Sequence, residues 1–485
     1  MLILYDDTSP APQTIRQIIG VDRFADLLRQ RQRQADIIER IAQTDKNRRF
    51  VRISDEAARG SGLDMLERSA PDEKVFRLPS SLAPCKLDVL ARTLEKLPYA
   101  LDSTIFGGQF DDEAVALLSR EDAISLLRIT DPGERRSFFS RFSAQSMHIG
   151  NDMGLVDLRS VDSFLAYMTG ATETRHFNQV EDTGGVFRKK STDIAKMHAE
   201  YRYFHIVPEA MKRFLLPTFD YVESGSQASY AMEKLSIPDA AIQMVHFAFN
   251  EASFGTLLTS FFSFVAARAQ RKCGVAAARE TARTEILGKM HTRLDTLMGT
   301  SQGRRVDALM RVNDLGGGLE AMRQRASGLI EQAIATDTTD TLAVGHGDPC
   351  LSNILFHRDI GLFRLIDPRG ATTLDAAFMH PLYDLAKFSH SVLGGYDFIN
   401  NGLFECQVDS TLGLSLSLEG GGPPSWAKAA FIRHMNAAGI SPRVVRAYEL
   451  SLFLSMLPLH IDNPRKLPAF CLTAAAIMNE LECTA

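Results

Sequence analysis

The chain has 485 residues, 45% of them hydrophobic and 23% charged, with a formal net charge of -5. That length exceeds one ordinary core and predicts two or three domains, in a composition typical of soluble globular proteins. The weak negative charge provides no global basic field, so nucleic acid is not an expected partner. Six scattered cysteines, with no CxxC pair, argue against structural zinc and a disulfide framework and fit a reducing compartment. The N-terminus is too poor in apolar residues for a signal peptide. No apolar run reaches the roughly 18–20 residues that span a bilayer. The expected location is therefore cytoplasmic, with no membrane span.

Residues 1–150 alternate β-like runs ("MLILY", "RFVRIS", "KVFRL") with a helical pattern, "IRQIIGVDRFADLLRQRQRQADIIERIA", and read as an α/β domain of unassigned role. Neither GxGxxG nor GxxxxGK[ST] occurs in it. Residues 151–235 are expected to form a second, β-rich unit. There "RHFNQVEDTGGVFRKKS" reads as two strands around a "DTGG" turn, and "TDIAKMHAEYRYFHIV" as a helix capped by Thr192 or Asp193 and stopped by Pro208. "ASYAMEKL" is the next strand. Residues 236–485 are mainly helical, and "FGTLLTSFFSFVAARAQ" reads as a buried helix.

One stretch interrupts those helices: "VGHGDPCLSNILFHRDIGLFRLIDPRG". Ile354–Phe356 and Leu362–Ile366 are apolar runs joined through Gly361, which predicts an antiparallel hairpin. Residues flanking its open end lie side by side, which places Asn353 next to Asp367. An amide oxygen beside a carboxylate is a hard-oxygen pair suited to Mg²⁺, which keeps waters and phosphate oxygens as its other ligands. Asp348 precedes the pair in a turn stiffened by Pro349, where a carboxylate can take a proton from an attacking hydroxyl. Each such residue alone would suit an ordinary turn; three around one hairpin favour phosphotransfer.

"HGDPCLSNIL", followed by the aspartate of "LIDPRG" in matching order and spacing, resembles the catalytic and metal loops of the aminoglycoside phosphotransferase and choline kinase family. The resemblance covers roughly residue 175 to the C-terminus. It implies an α+β, bilobal protein-kinase-like fold, with a small β-rich lobe and a helical lobe, here preceded by the α/β domain. It implies Asp348 as catalytic base, Asn353 and Asp367 as Mg²⁺ ligands, and His346 as a brace. "PLYDLAKFSHS" resembles the helix after the metal loop, with Asp384 bracing the catalytic loop. The form "IDPRG…YDLAKFSHSVLGGYD" is also similar to kinase-like proteins found with bacterial surface-polysaccharide genes, some fused behind a nucleotidyltransferase-like module.

Such an enzyme needs a cation on the nucleotide phosphates, held by an acid on a neighbouring helix. In "GVFRKKS", period-two alternation puts Phe187 and Lys189 on one face, so Lys189 is the phosphate-binding candidate, with Lys190 in its place if the strand slips by one. On the following helix Ile194, Met197, Tyr201 and Phe204 form an apolar stripe with Glu200 at its edge, placed to meet that lysine. "YAMEKL" takes the hinge position, where backbone around Met232, Glu233 and Lys234 would meet adenine. A full glycine-rich loop is missing before the lysine strand, which leaves the phosphate-covering loop unassigned and ATP versus GTP open.

The short connection from "IDPRG" to "YDLAKF" leaves no room for a long activation segment, so the expected acceptor is a small hydroxyl compound: a sugar, polyol or amino-alcohol. With one tryptophan (Trp426) and no acidic cluster in the helical lobe, a neutral or anionic acceptor fits better than an amine. Arg369, His390, Tyr396 and Asp397 are pocket candidates, although His390 and Tyr396 would equally suit a packed core. Two rival readings use the same residues: a nucleotide-sensing pseudokinase module and a kinase-fold nucleotidyl transferase.

Overall fold

The computed structural model describes residues 1–29, 31–100, 102–106, 113–145, 149–168, 178–182, 186–312, 317–408 and 413–483. The chain divides into two compact units, Met1–Thr172 and Glu173–Ala485.

The first unit is built on a six-stranded mixed sheet ordered Arg49–Ile53, Leu2–Asp6, Lys74–Pro79, Val115–Ser119, Thr104–Phe106, Ser143–Gln145. The first three strands run parallel and Val115–Ser119 runs antiparallel to its neighbours. Both faces are covered because alternate residues point opposite ways. Ile3 and Tyr5 pack with Ile38, Ile41, Leu90 and Leu94, while Leu2 and Leu4 pack with Leu66, Leu126 and Phe139. The long helical pattern expected after the first strand is broken into Gln13–Ile19, a 3₁₀ turn, a two-residue hairpin and Gln34–Ala42. Gly20 ends the first piece in the left-handed region at φ 79°, where a helix cannot continue. The boundary expected at residue 150 also moves. Leu155–Asp157 pairs antiparallel with Leu82–Pro84, so the segment expected to open the second region belongs to the first unit.

The second unit opens with an antiparallel sheet ordered Asn178–Asp182, Val186–Ser191, Gln227–Glu233, Thr218–Ser224. The expected hairpin and strand are there; Thr218–Ser224 is an additional edge strand. Helix Ile194–Ile206, capped by the Asp193 carboxylate accepting from Lys196 N–H, lies against this sheet. A short connection after Glu233 leads to the Asp239-capped helix Ala240–Val245 and then to long helices; Glu251–Ala267, expected to be buried, buries only the face of Phe254, Leu257, Leu258, Phe261 and Phe264. Every residue of Leu382–Val392 is buried, at the centre of this helical part, packed against Pro442–Met456. The "DTGG" turn after Asp182 and most of "TGATETRHFN" lie outside the described residues, as does any phosphate-covering loop formed there.

Candidate active site

The strand Val186–Ser191 brings Lys189 to the inner face of the small sheet. Its neighbour in register is Tyr230 on Gln227–Glu233. Lys189 is 3% exposed, so its charge needs partners. It donates to Glu200 Oε2 at 2.7 Å and to Asp367 Oδ1 at 3.1 Å, while Tyr230 donates its hydroxyl to the same Glu200 oxygen at 3.0 Å. Burial works against the Lys189 charge, and the carboxylates of Asp367 and Glu200 outweigh it, holding the ammonium above the ordinary lysine value. Asp367 is displaced the other way: burial opposes its charge, but Lys189 holds the carboxyl below the usual range. Of the two strand lysines, Lys189 and not Lys190 thus meets Glu200, whose other oxygen lies 3.5 Å from the Lys196 ammonium.

The helix presents a different stripe from the expected one. Met197, Glu200 and Tyr203 are its buried residues, whereas Tyr201 is only half-buried and stacks on Tyr221 at 5.0 Å. Glu200 therefore sits inside the buried stripe instead of at its edge. Tyr203 explains the rotation, since its hydroxyl donates to Gly345 O at 2.9 Å and ties this helix to the loop carrying Asp348. Glu200, Tyr230, Met232 and Asp367 line a cavity together with Phe204 and Leu216. At the expected hinge, Met232 pairs with Phe187, Glu233 is exposed, and the Lys234 ammonium sits 5.6 Å from the Phe187 ring centroid.

The hairpin forms from Ile354–His357 and Leu362–Leu365, with Ile354 opposite Leu365. Its register corrects the expected pairing. Ile366 N–H donates to Asn353 O at 3.0 Å, so Asn353 lies opposite Ile366 and Asp367 stands one residue beyond. Asp367 takes φ 56°, a left-handed conformation that turns it away from the ladder. Asn353 donates from Nδ2 to Asp348 O at 2.8 Å, which commits its amide nitrogen and leaves Oδ1 for other partners. With Asp367 Oδ1 given to Lys189, the remaining carboxylate oxygen and the Asn353 amide oxygen are hard donors that fit a divalent cation such as Mg²⁺. Among the described residues no group of three or more His, Cys, Asp or Glu is arranged to hold a metal, so a cation here would draw its other ligands from phosphate and water.

The Asp348 loop is braced from below. Asp384 accepts from the backbone N–H of His346 at 3.0 Å and of Gly347 at 2.7 Å, and takes Arg268 at 3.1 Å. His346 is fully buried, its Nδ1 accepts from Asp348 N–H at 3.3 Å, and burial lowers its pKa, so the ring is a neutral support. Arg369 is exposed beside this loop and donates its backbone N–H to His346 O. Sequence reading missed Lys387, whose ammonium lies 2.8 Å from Asp348 Oδ1. Burial disfavours its charge, but Asp348 outweighs that and holds the ammonium above the ordinary lysine value. The available signal was spacing: Lys387 stands three residues after Asp384 on one helix, hence near the same loop. His390, Tyr396 and Asp397 lie in the packed interior, where His390 stacks on Tyr396 at 4.3 Å and Tyr396 on Phe470 at 6.0 Å.

Among the described residues no helix is long and apolar enough to cross a membrane. No protein-family model and no curated protein matches the chain. Among solved structures, the chain is similar to the apo form of a thermostable mutant of the aminoglycoside phosphotransferase APH(4)-Ia, at 16% identity and a TM-score of 0.38, over 64% of this chain and 92% of that one. It is also similar to a glucosamine kinase in complex with glucosamine, ADP and inorganic phosphate, at 12% identity and a TM-score of 0.38, over 68% of this chain and 86% of that one. Likeness at this level settles neither fold nor chemistry; those rest on the geometry of this chain.

Proposed function

We propose that the second unit is a protein-kinase-like, Mg²⁺-dependent small-molecule kinase, which moves the γ-phosphoryl group of ATP or GTP to a hydroxyl of a sugar, polyol or amino-alcohol. The observation that carries this reading is the convergence of Lys189, Glu200 and Asp367 from a strand, a helix and a hairpin end, beside a loop that displays Asp348. A structural ion pair would not need a third charged group from so distant a segment. In this reading the first unit, Met1–Thr172, is a separate module of unassigned role, and the protein works in the cytoplasm.

Lys189 would meet the nucleotide phosphates while Glu200 holds its stem in place, a positioning role common to phosphoryl-transfer sites. Asn353 and Asp367 would hold the Mg²⁺, whose bound charge offsets that of the phosphates. Asp348 receives the acceptor proton as the hydroxyl oxygen bonds to the γ-phosphorus. The bond from that phosphorus to the β,γ-bridging oxygen breaks, and its electron pair leaves on the nucleoside diphosphate. Lys387 and the Asp384 brace fix the Asp348 carboxylate for that transfer.

The test is ADP release from ATP and Mg²⁺ across a panel of sugars, polyols, choline and aminoglycosides, with Asp348→Asn alongside. Acceptor-dependent ADP release that falls by about 10²- to 10⁴-fold in the variant is the expected result. Nucleotide binding without turnover for any acceptor would favour a sensing module. Pyrophosphate or AMP in place of ADP would favour nucleotidyl transfer.

A further inference from the structure

Four cations from three segments meet beside Asp348. Lys387 lies on it at 2.8 Å, and one turn earlier on the same helix is Tyr383, whose hydroxyl accepts from the Lys289 ammonium at 2.5 Å. Arg293 stands one turn beyond Lys289 on helix Lys289–Met298 and donates from Nη1 to Ser455 O at 3.1 Å. Spacing of four residues puts each pair on one helical face. Arg369 closes the fourth side. A Cβ added to Gly347 would fall 2.6 Å from Arg369 Cβ and 3.1 Å from its Cδ, so the arginine stem runs across the turn that displays Asp348. Acids beside this group are Asp348 itself, Asp384, which accepts from the N–H groups of His346 and Gly347, and Glu285, which accepts from His380 N–H.

Among the described residues Lys289 and Arg369 form no ion pair with any acidic side chain. Lys289 is half-buried, and Arg369 is exposed. Burial, followed by the charges of Lys387, Arg293 and Arg369, presses the Lys289 ammonium down to about 6. Lys387 is balanced by Asp348, but Lys289 and Arg369 are like charges without an ion-pair partner among the described residues; such a pair costs stability, and a protein retains it where a bound anion supplies the missing charge. None of these four groups is needed at the Lys189 side, where Glu200 and Asp367 already define the nucleotide end.

We infer that the acceptor is itself an anion, a small sugar or polyol that already carries a phosphate or carboxylate group, held by Lys289, Arg293 and Arg369 while its free hydroxyl meets Asp348. This rests on the phosphotransfer reading and specifies its substrate class. The transfer step is unchanged, since the anionic group binds and does not react. A phosphorylated acceptor would leave as a bisphosphate, and a carboxylated one as a phosphorylated acid.

The experiment is equilibrium binding to the full chain saturated with a non-hydrolysable ATP analogue and Mg²⁺, so that the γ-phosphate position is already filled. The probes are glucose 6-phosphate, glycerol 3-phosphate and gluconate, against glucose, glycerol and glucosamine. The expected result is that at least one anion binds about tenfold or more tightly than its neutral counterpart. Lys289→Glu should remove that preference and Lys289→Arg keep it. Equal or tighter binding of the neutral or cationic probes, or no binding of any anion, would overturn the inference. So would a Lys289→Glu variant that weakens only the analogue, because the cations would then serve the donor phosphate. Anion binding by a chain that does not bind the analogue would instead count against the kinase reading and leave the anion site standing.

Discussion

Lys387 and Asp348 form an ion pair at 2.8 Å between a buried helix and the turn that displays Asp348, and Asp384 of the same helix takes the backbone N–H groups of that turn. One helix therefore sets both the path of the loop and the direction of its carboxylate. The Lys387 side chain is 11% exposed and that of Asp348 33% exposed, so the carboxylate is held by protein on one side and open to a substrate on the other.

Replacing Lys387 by Met keeps the volume of the stem and removes the charge. Asp348 should then sample other rotamers, and kcat should fall by about 10²-fold while the KM for ATP changes little. Steady-state kinetics with the best acceptor from the panel reads this directly. An equal rise in the ATP KM would place Lys387 at the nucleotide instead.

The Lys189–Glu200 pair makes a two-part prediction. Each single variant, Lys189→Met or Glu200→Gln, alters a charged group no more than 3% exposed and should destabilise the protein by about 3–5 kcal/mol in urea unfolding. The double variant Lys189→Met with Glu200→Leu should regain part of that stability, because no unpaired buried charge remains between them. Activity should not return with it. Recovery of activity in the double variant would mean that the pair is structural only.

Gly370 links the metal-loop end to the Glu200 helix. Its φ is 83°, and an added Cβ would lie 2.7 Å from Ala199 C and from Glu200 N, both rigid backbone atoms, while Ala371 N–H already donates to Ala199 O. Gly370→Ala should push the helix outward, raise the nucleotide KM about tenfold and cost about 1–3 kcal/mol. Gly439→Ala is the control: φ is 69° but the space around it is open, so only backbone strain is added. Similar kinetic losses in both would rule out a specific role for Gly370.

Lys289 predicts a pH dependence of opposite sign to that of an ordinary paired lysine. Its folded value, about 6, lies below the ordinary lysine value of 10.5, so between those values the unfolded chain binds more protons than the folded one. Stability should rise with pH across that window, and Lys289→Met should flatten the rise. Binding of an anionic acceptor should move the other way and weaken as pH climbs from about 6, because the anion favours the protonated amine. Lys387 keeps its charge through this range, and Tyr383 titrates above it. Urea midpoints at pH 6.5 and 9, with and without the acceptor, test both slopes.

Local order and period single out Asp348, Asn353, Asp367, Lys189 and Glu200 as candidates, each marked by a neighbour in sequence (a proline-stiffened turn, a hairpin, a period-two strand, a helix stripe), and the structure joins Lys189 to Glu200 and Asp367 and Asn353 to the Asp348 turn. The same local reasoning failed by one position at the hairpin. Apolar residues run through Ile366, and only the backbone pairing with Asn353 shows that the ladder ends earlier. It failed at Gly20, where one left-handed residue broke a long helical period, and at residues 151–168, whose strand pairs back to Leu82–Pro84.

By itself, then, the amino-acid order marked out Lys189, Glu200, Asp348, Asn353 and Asp367 as candidates, since hairpin, strand and helix periods are short-range signals. Which cations surround Asp348 was decided only in three dimensions. Lys289, Arg293, Arg369 and Lys387 come from segments up to 98 positions apart (387 − 289), each an ordinary basic residue in its own stretch. Their convergence follows from burying Leu382–Val392 on every side, which draws Lys289–Met298 and the Asp348 turn onto one helix and brings like charges together.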